Sequence, residues 1–212
     1  MNFPKIYLAS ASPRRHEILT GLGVPHEILR LPPAAGEDEP RLAGEPPPVY
    51  VERTAREKAV RALDWLAGAP HLPAYPVLAA DTTVILQDDI LGKPADMADA
   101  RRMLRRLSGR EHEVRTAVVI GGAGRLLHAV SITTVRFASL SDTDIDDYCA
   151  SGEPMGKAGA YGIQGLAGLF IEHIAGSYTG VMGLPVHETG RLLHQFAIER
   201  RHDRDAARPS IP

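Results

Sequence analysis

Ile6-Tyr7-Leu8-Ala9-Ser10-Ala11-Ser12-Pro13-Arg14-Arg15 carries the chain from the end of a buried strand straight into the start of a helix. Ser12 suits the N-cap and Pro13 the first helical position. Ile18, Leu19 and Leu22 continue at helical spacing until Gly21 and Gly23 end the element. A helix start presents unpaired backbone N–H groups and a positive dipole end. Arg14 and Arg15 in that first turn oppose the dipole, and a bound anion such as a phosphate chain would remove the conflict. The competing reading is two solvated arginines on an ordinary helix.

Outward from this unit, strands and helices alternate. Residues 31–48 form a Pro- and Gly-rich loop loaded with Glu37, Asp38, Glu39 and Glu45. A helix is expected over 49–67, with Val51, Ala55, Ala59, Leu63 and Leu66 on one stripe. Residues 77–86 read as a nearly continuous apolar strand holding Asp81. The turn Gly92-Lys93-Pro94 leads into a helix with Met97, Ala100, Met103, Leu104 and Leu107 inward, stopped by Ser108-Gly109. Strands are expected over 113–120 and 128–137 around the turn Gly121-Gly122-Ala123-Gly124. Ser141 and Asp144 form a capping box for a helix to about 150. Residues 156–168 are glycine-rich, 169–174 are strand-like, and a last helix covers 185–200. This order predicts an α/β fold, a mixed twisted sheet flanked by helices, with residues 1–200 as one domain and 201–212 as a disordered tail.

The 212 residues allow one full domain, and 44% hydrophobic with 24% charged residues is the balance of a soluble globular protein. A net charge of −2 argues against a broad surface for nucleic-acid polymers. The N-terminus lacks the apolar core of a signal peptide, and no apolar run is long enough for a membrane, so the cytoplasm is the expected location. Cys149 is the one cysteine, which excludes an internal disulfide and reads as packing material in a helix.

Asp81 is the first chemical candidate, because apolar neighbours on both sides predict burial. A buried carboxylate needs a metal, a cation or several donors. Lys93 is aimed by a rigid turn just past the same strand, although turn lysines are mostly solvated. Lys58 adjoins the buried stripe and stands either at a cleft or in water. One acid of the 37–39 run could share a divalent cation with Asp81, since Mg²⁺ is satisfied by one or two carboxylates plus phosphate oxygens and water. Gln164, in Gly156-Lys157-Ala158-Gly159-Ala160-Tyr161-Gly162-Ile163-Gln164-Gly165, carries the donor and acceptor that a reader of a base edge needs. The plainer reading is an exposed amide on a bend. The histidines show no metal-ligand spacing, and Ser10 and Ser12 lack the setting of a hydrolase nucleophile.

Taken together, these segments resemble the Maf family of nucleoside triphosphate pyrophosphatases from about residue 6 to 193. The motifs, in order, are Ser10-Ala11-Ser12-Pro13-Arg14-Arg15, Ala55-Arg56-Glu57-Lys58-Ala59, Ala80-Asp81-Thr82, Gly92-Lys93-Pro94 and Leu107-Ser108-Gly109-Arg110-Glu111-His112. Ser151-Gly152-Glu153-Pro154, the segment 157–165 and Gly183-Leu184-Pro185 complete the set.

The resemblance implies a Maf/ITPase-like two-lobed architecture with a central cleft, and hydrolysis between the α and β phosphates to a monophosphate and pyrophosphate. It casts Asp81 as proton acceptor and metal contact, Glu39 as the loop acid at the metal, and Lys58 and Lys93 as catalytic cations. Ser10 and Arg14 become substrate contacts, and Arg15, Thr82 and Gln164 match the selectivity positions of the branch acting on dTTP and UTP. Mg²⁺ or Mn²⁺ is the implied cofactor, and a homodimer the implied assembly. The alternatives are a 7-methyl-GTP or purine nucleotide pyrophosphatase, or a non-catalytic nucleotide-responsive regulator of septum formation. Gly156 stands where the pattern carries an aspartate.

Overall fold

The computed structural model describes residues 3–32 and 40–206. The chain runs β1 (Ile6–Leu8), α1 (Pro13–Gly21), β2 (His26–Ile28), α2 (Pro47–Ala67), β3 (Val77–Leu86), β4 (Asp89–Leu91) and α3 (Met97–Leu107). It continues β5 (Glu111–Gly122), β6 (Arg125–Phe137), α4 (Asp142–Ala150), two 3₁₀ turns, β7 (Ile171–Ala175), α5 (Tyr178–Met182) and α6 (Val186–Ala206). The strands form one open, mixed seven-stranded sheet in the order β2-β1-β3-β5-β6-β7, with β4 also on β3. Only β1 pairs in parallel, with β2 and β3; every other pairing is antiparallel.

Local chemistry sets most element boundaries. Ser12 occupies the N-cap of α1 with Pro13 at the first position, but its side chain makes no capping bond. The Ser12 backbone amide donates to Ser10 Oγ at 3.2 Å. The Ser141–Asp144 capping box of α4 forms as expected. The strands β5 and β6 extend beyond their expected ends because Ala123 and Gly124, both with positive φ, make a two-residue hairpin turn. The strands β2 and β4 have three residues each, too few to show a period in sequence. The last helix reaches Ala206, where a disordered tail was expected from residue 201; residues 207–212 lie outside the described part. None of the helices described is long and apolar enough to cross a membrane.

Successive residues of a strand face opposite sides of the sheet, and this alternation organises the cores. On one face α2 lays Val51, Ala55, Ala59 and Ala62 against Tyr7, Val77, Ala79, Ala117 and Val119. The other face carries two cores. One joins Leu78, Ala80, Val118 and Ile120 to α1 and α6 through Leu19, Leu193 and Phe196. The second joins Val84, Leu86, Val114 and Phe137 to α3 and α4 through Leu104, Leu107 and Ile145. Between them Thr82, Thr116 and Ser131, aligned by strand register, cross the sheet as a belt of hydroxyls. The two cores are the two lobes, and this belt is the floor between them.

Candidate functional site

The site is built where β3 loses a neighbour. One edge of β3 is paired with β5 from Val77 to Ile85. Its other edge is paired with β1 only at Val77 and Leu78, and with β4 only from Val84 onward. Along the edge between, at 79–83, no strand is paired among the described residues. It lies beyond the carboxyl end of β1, from which the segment 9–12 leads into α1, the kind of gap where open α/β sheets bind ligands.

Asp81 sits in that gap with its side chain on the α2 face. Lys58 Nζ, from α2, donates to Asp81 Oδ1 at 2.7 Å, and the Thr83 hydroxyl makes a longer 3.4 Å bond to Oδ2. The Asp81 side chain is 7% exposed and that of Lys58 26%. Burial is the strongest influence on the Asp81 carboxyl and opposes its ionisation. The ammonium of Lys58 by charge and hydrogen bond, the charge of Arg15 and the hydroxyl of Thr54 together outweigh it, and Asp81 titrates below the usual carboxylate range. Asp81 is therefore an ionised, nearly enclosed base at neutral pH.

Thr82, one residue on, points to the opposite face and meets Arg15. This guanidinium is buried, with Nε donating to Gly183 O at 2.7 Å, Nη1 to Ser10 Oγ at 3.0 Å and Nη2 to Thr82 Oγ1 at 3.2 Å. Gly183 follows α5 with φ +113°, a conformation that suits glycine and turns its carbonyl to Arg15. The helix-start arginines thus differ from two solvated side chains: Arg15 is locked into the floor, and the half-buried Arg14 has an enclosed Nε without a partner among the described residues.

The glycine-rich segment folds as a tight loop around Glu153. Its carboxylate accepts from the Leu166 amide at 2.9 Å and the Tyr148 hydroxyl at 3.0 Å. A side chain at Gly165 would collide with this carboxylate, so glycine is required there. Lys157 donates to Glu153 O; burial first, and the charge of Arg14 second, lower its pKa. Gln164 lies exposed on the turn that follows Ile163. Gly156 has φ +73° with open space around it, so the missing aspartate leaves no clash or cavity.

Lys58, Asp81, Thr82, Arg15 and Ser10 are thus brought to one gap, with Arg14 next to Arg15 in the first turn of α1. Lys93 is exposed on its turn and makes no ion pair among the described residues. Glu39 lies outside the described residues. Glu45, from the same acidic loop, is buried against Arg53 at 2.6 Å and serves the loop's structure. No group of three or more histidine, cysteine, aspartate or glutamate side chains suited to a metal occurs among the described residues. Thr54 and Thr116 were not singled out from sequence, and Gly183 was named only within a motif; Thr116 was legible as a lone hydroxyl in an apolar strand run.

The model of the family described as Maf-like protein matches residues 5–196. Among curated relatives, a dTTP/UTP pyrophosphatase of Bordetella pertussis is 60% identical over 195 residues, covering 92% of this chain and 94% of its own length. The dTTP/UTP pyrophosphatase of Chromobacterium violaceum is 55% identical over 199 residues, covering 93% and 98%. That of Dechloromonas aromatica is 50% identical over 196 residues, covering 91% and 97%.

Proposed function

The chain belongs to the Maf-like proteins, and from that premise we propose that it hydrolyses dTTP and UTP to the monophosphate and pyrophosphate. The observation that carries the proposal is Asp81, buried yet ionised by Lys58, at the unpaired edge of β3. Water attacks the α-phosphorus in line with the departing pyrophosphate, and Asp81 accepts its proton as the new P–O bond forms and the bond to the bridging oxygen breaks. Lys58 keeps Asp81 ionised before the proton arrives. Arg14, Lys93 and the first-turn amides of α1 balance the charge gathering on the pyrophosphate.

Arg15 and Thr82 place the nucleoside end from the opposite face of the sheet. The Gln164 amide donates to O4 and accepts from N3–H of uracil or thymine alike. Asp81 Oδ2 takes a long bond from Thr83 and is a hard oxygen suited to a divalent cation. Mg²⁺ or Mn²⁺ would be held there and by Glu39, and when bound supplies neutralising charge to the phosphates.

Parallel assays of dTTP, UTP, CTP, dATP, GTP and 7-methyl-GTP test the reading. Pyrophosphate with the monophosphate, mainly from dTTP and UTP, is expected. Preference for 7-methyl-GTP would move the chain to the other branch, orthophosphate would mean the wrong bond, and silence would favour a regulatory module. Gln164→Glu should shift the dTTP-to-GTP ratio by about tenfold or more, the value of one lost hydrogen bond in a base-reading site. An unchanged ratio would remove Gln164 from base reading.

A further inference from the structure

The hydroxyl belt beneath the site has a direction. The Gly180 carbonyl can only accept, and Thr116 Oγ1 lies 2.8 Å from it, so Thr116 commits its one proton there. Thr116 Oγ1 then faces Thr82 Oγ1, 2.9 Å away, as an acceptor. Thr82 must donate into it, since two lone pairs at that distance would repel. With its proton committed downward, Thr82 offers Arg15 Nη2 a pure acceptor at 3.2 Å. The relay runs Arg15 to Thr82 to Thr116 to Gly180, four groups from α1, β3, β5 and α5 tied in one sense.

Packing makes this arrangement specific. Thr116 is 1% exposed and lies below Thr82 in strand register. A side chain at Gly180 would come within 3.1 Å of the Ser131 hydroxyl, so the short α5 can sit this close to the belt because residue 180 is glycine. The guanidinium plane of Arg15 is then set from both sides, by Gly183 O on Nε and by an oriented Thr82 on Nη2.

We propose that Thr116 is a positioning residue for substrate binding, acting through Thr82 to hold the plane of Arg15. This rests on the reading of Arg15 and Thr82 as substrate contacts. Valine at 116 keeps the β-branched shape and removes the relay; serine keeps the relay.

The test measures the affinity of Thr116→Val, Thr116→Ser, Thr82→Val and the Thr82→Val/Thr116→Val pair for the non-hydrolysable α,β-imido-dUTP by calorimetry. Pyrophosphate release from dTTP is followed alongside. Thr116→Val should weaken the analogue, and raise KM, by about tenfold, the fold-change of one neutral hydrogen bond, with kcat within about twofold. Thr116→Ser should bind like wild type, and the double variant no more weakly than Thr82→Val alone. Wild-type affinity in Thr116→Val, a loss in Thr116→Ser as large as in Thr116→Val, or additive losses in the double variant would overturn the relay. If Thr116→Val fails to fold, Thr116→Cys takes its place, a side chain of similar size with a weak donor. A wild type that binds the analogue without releasing pyrophosphate would sink the hydrolase reading, and the relay would still be decided on affinities. A wild type that does neither would sink both.

Discussion

The two faces of β3 at residues 81 and 82 solve opposite problems with adjacent side chains. On the α2 face a buried carboxylate is kept charged chiefly by an ammonium 2.7 Å away, with a quarter of the lysine side chain still in water. On the other face a buried guanidinium donates to neutral acceptors, a carbonyl and two hydroxyls. On the proposed reading the first arrangement serves reactivity, because a desolvated, ionised carboxylate is ready to accept a proton. The second stores geometry, because a fork of donors on fixed acceptors cannot turn. On that reading, chemistry and recognition are separated by the two-residue period of a strand and meet at the edge of β3 between β1 and β4.

The largest effect should fall on the charged face. Asp81→Asn keeps shape and removes the base, so hydrolysis of dTTP should fall at least about a thousandfold while the analogue still binds. Near wild-type turnover would end the catalytic assignment and collapse the distinction between the faces.

Acid should separate the faces next. His112 lies in the second core on the Thr82 side, bonded to Tyr161 at 2.8 Å, and burial pushes it down to about 4. Its folded value lies below that of the unfolded chain, so the unfolded state takes up the proton first. Stability should therefore be full above pH about 6.5 and fall by about 3 kcal/mol as pH drops toward 4. Asp81 has the depressed value of a carboxylate, so its contribution is present above pH about 4 and is lost only below it. Denaturant titrations from pH 8 to 4 should show the first loss, and His112→Phe should flatten it. A loss that begins only below pH 4 would contradict the His112 account.

Lys58→Met probes the ion pair itself. Orphaning Asp81 should lower stability by about 2 kcal/mol, less than for a fully buried pair because Lys58 is partly solvated. Burial would then act unopposed by Lys58, and the acid limb of the kcat profile should move to higher pH. An unmoved limb would mean that Lys58 does not set the charge of Asp81. The smallest effect belongs to the recognition face: Gly183→Ala, at φ +113°, should cost roughly 1 kcal/mol and raise KM through Arg15, leaving kcat in place. Melting curves with steady-state kinetics would check both parts.

Much of this was legible before any coordinates. Ser12-Pro13 and Gly21 bracket α1, the apolar run 77–86 is β3, and Ser141 with Asp144 starts α4, because caps, helix breakers and strand periods act over a few residues. The ordered motifs, Asp81 among them, pointed to the family that the comparisons then established. The alternation of Asp81 and Thr82 to opposite faces also follows from sequence once the strand is known.

What local sequence left open was settled by contacts between distant segments. Lys58 reaches Asp81 across 23 residues, and Arg15 reaches Gly183 across 168. Helix docking places Lys58 on Asp81 and Arg15 on Gly183, and Lys93 stays exposed on its turn. Ser12 makes no side-chain capping bond, and its backbone amide donates to Ser10 Oγ. Sequence alone determined the longer elements, their order and the chemical inventory, since those depend on near neighbours along the chain, while β2, β4 and α5 were too short to read. The tertiary structure alone decided which charges meet, which hydroxyls align into a relay, and that β3 keeps an open edge. Each of those depends on sheet register and helix docking, set by the packing of the whole chain.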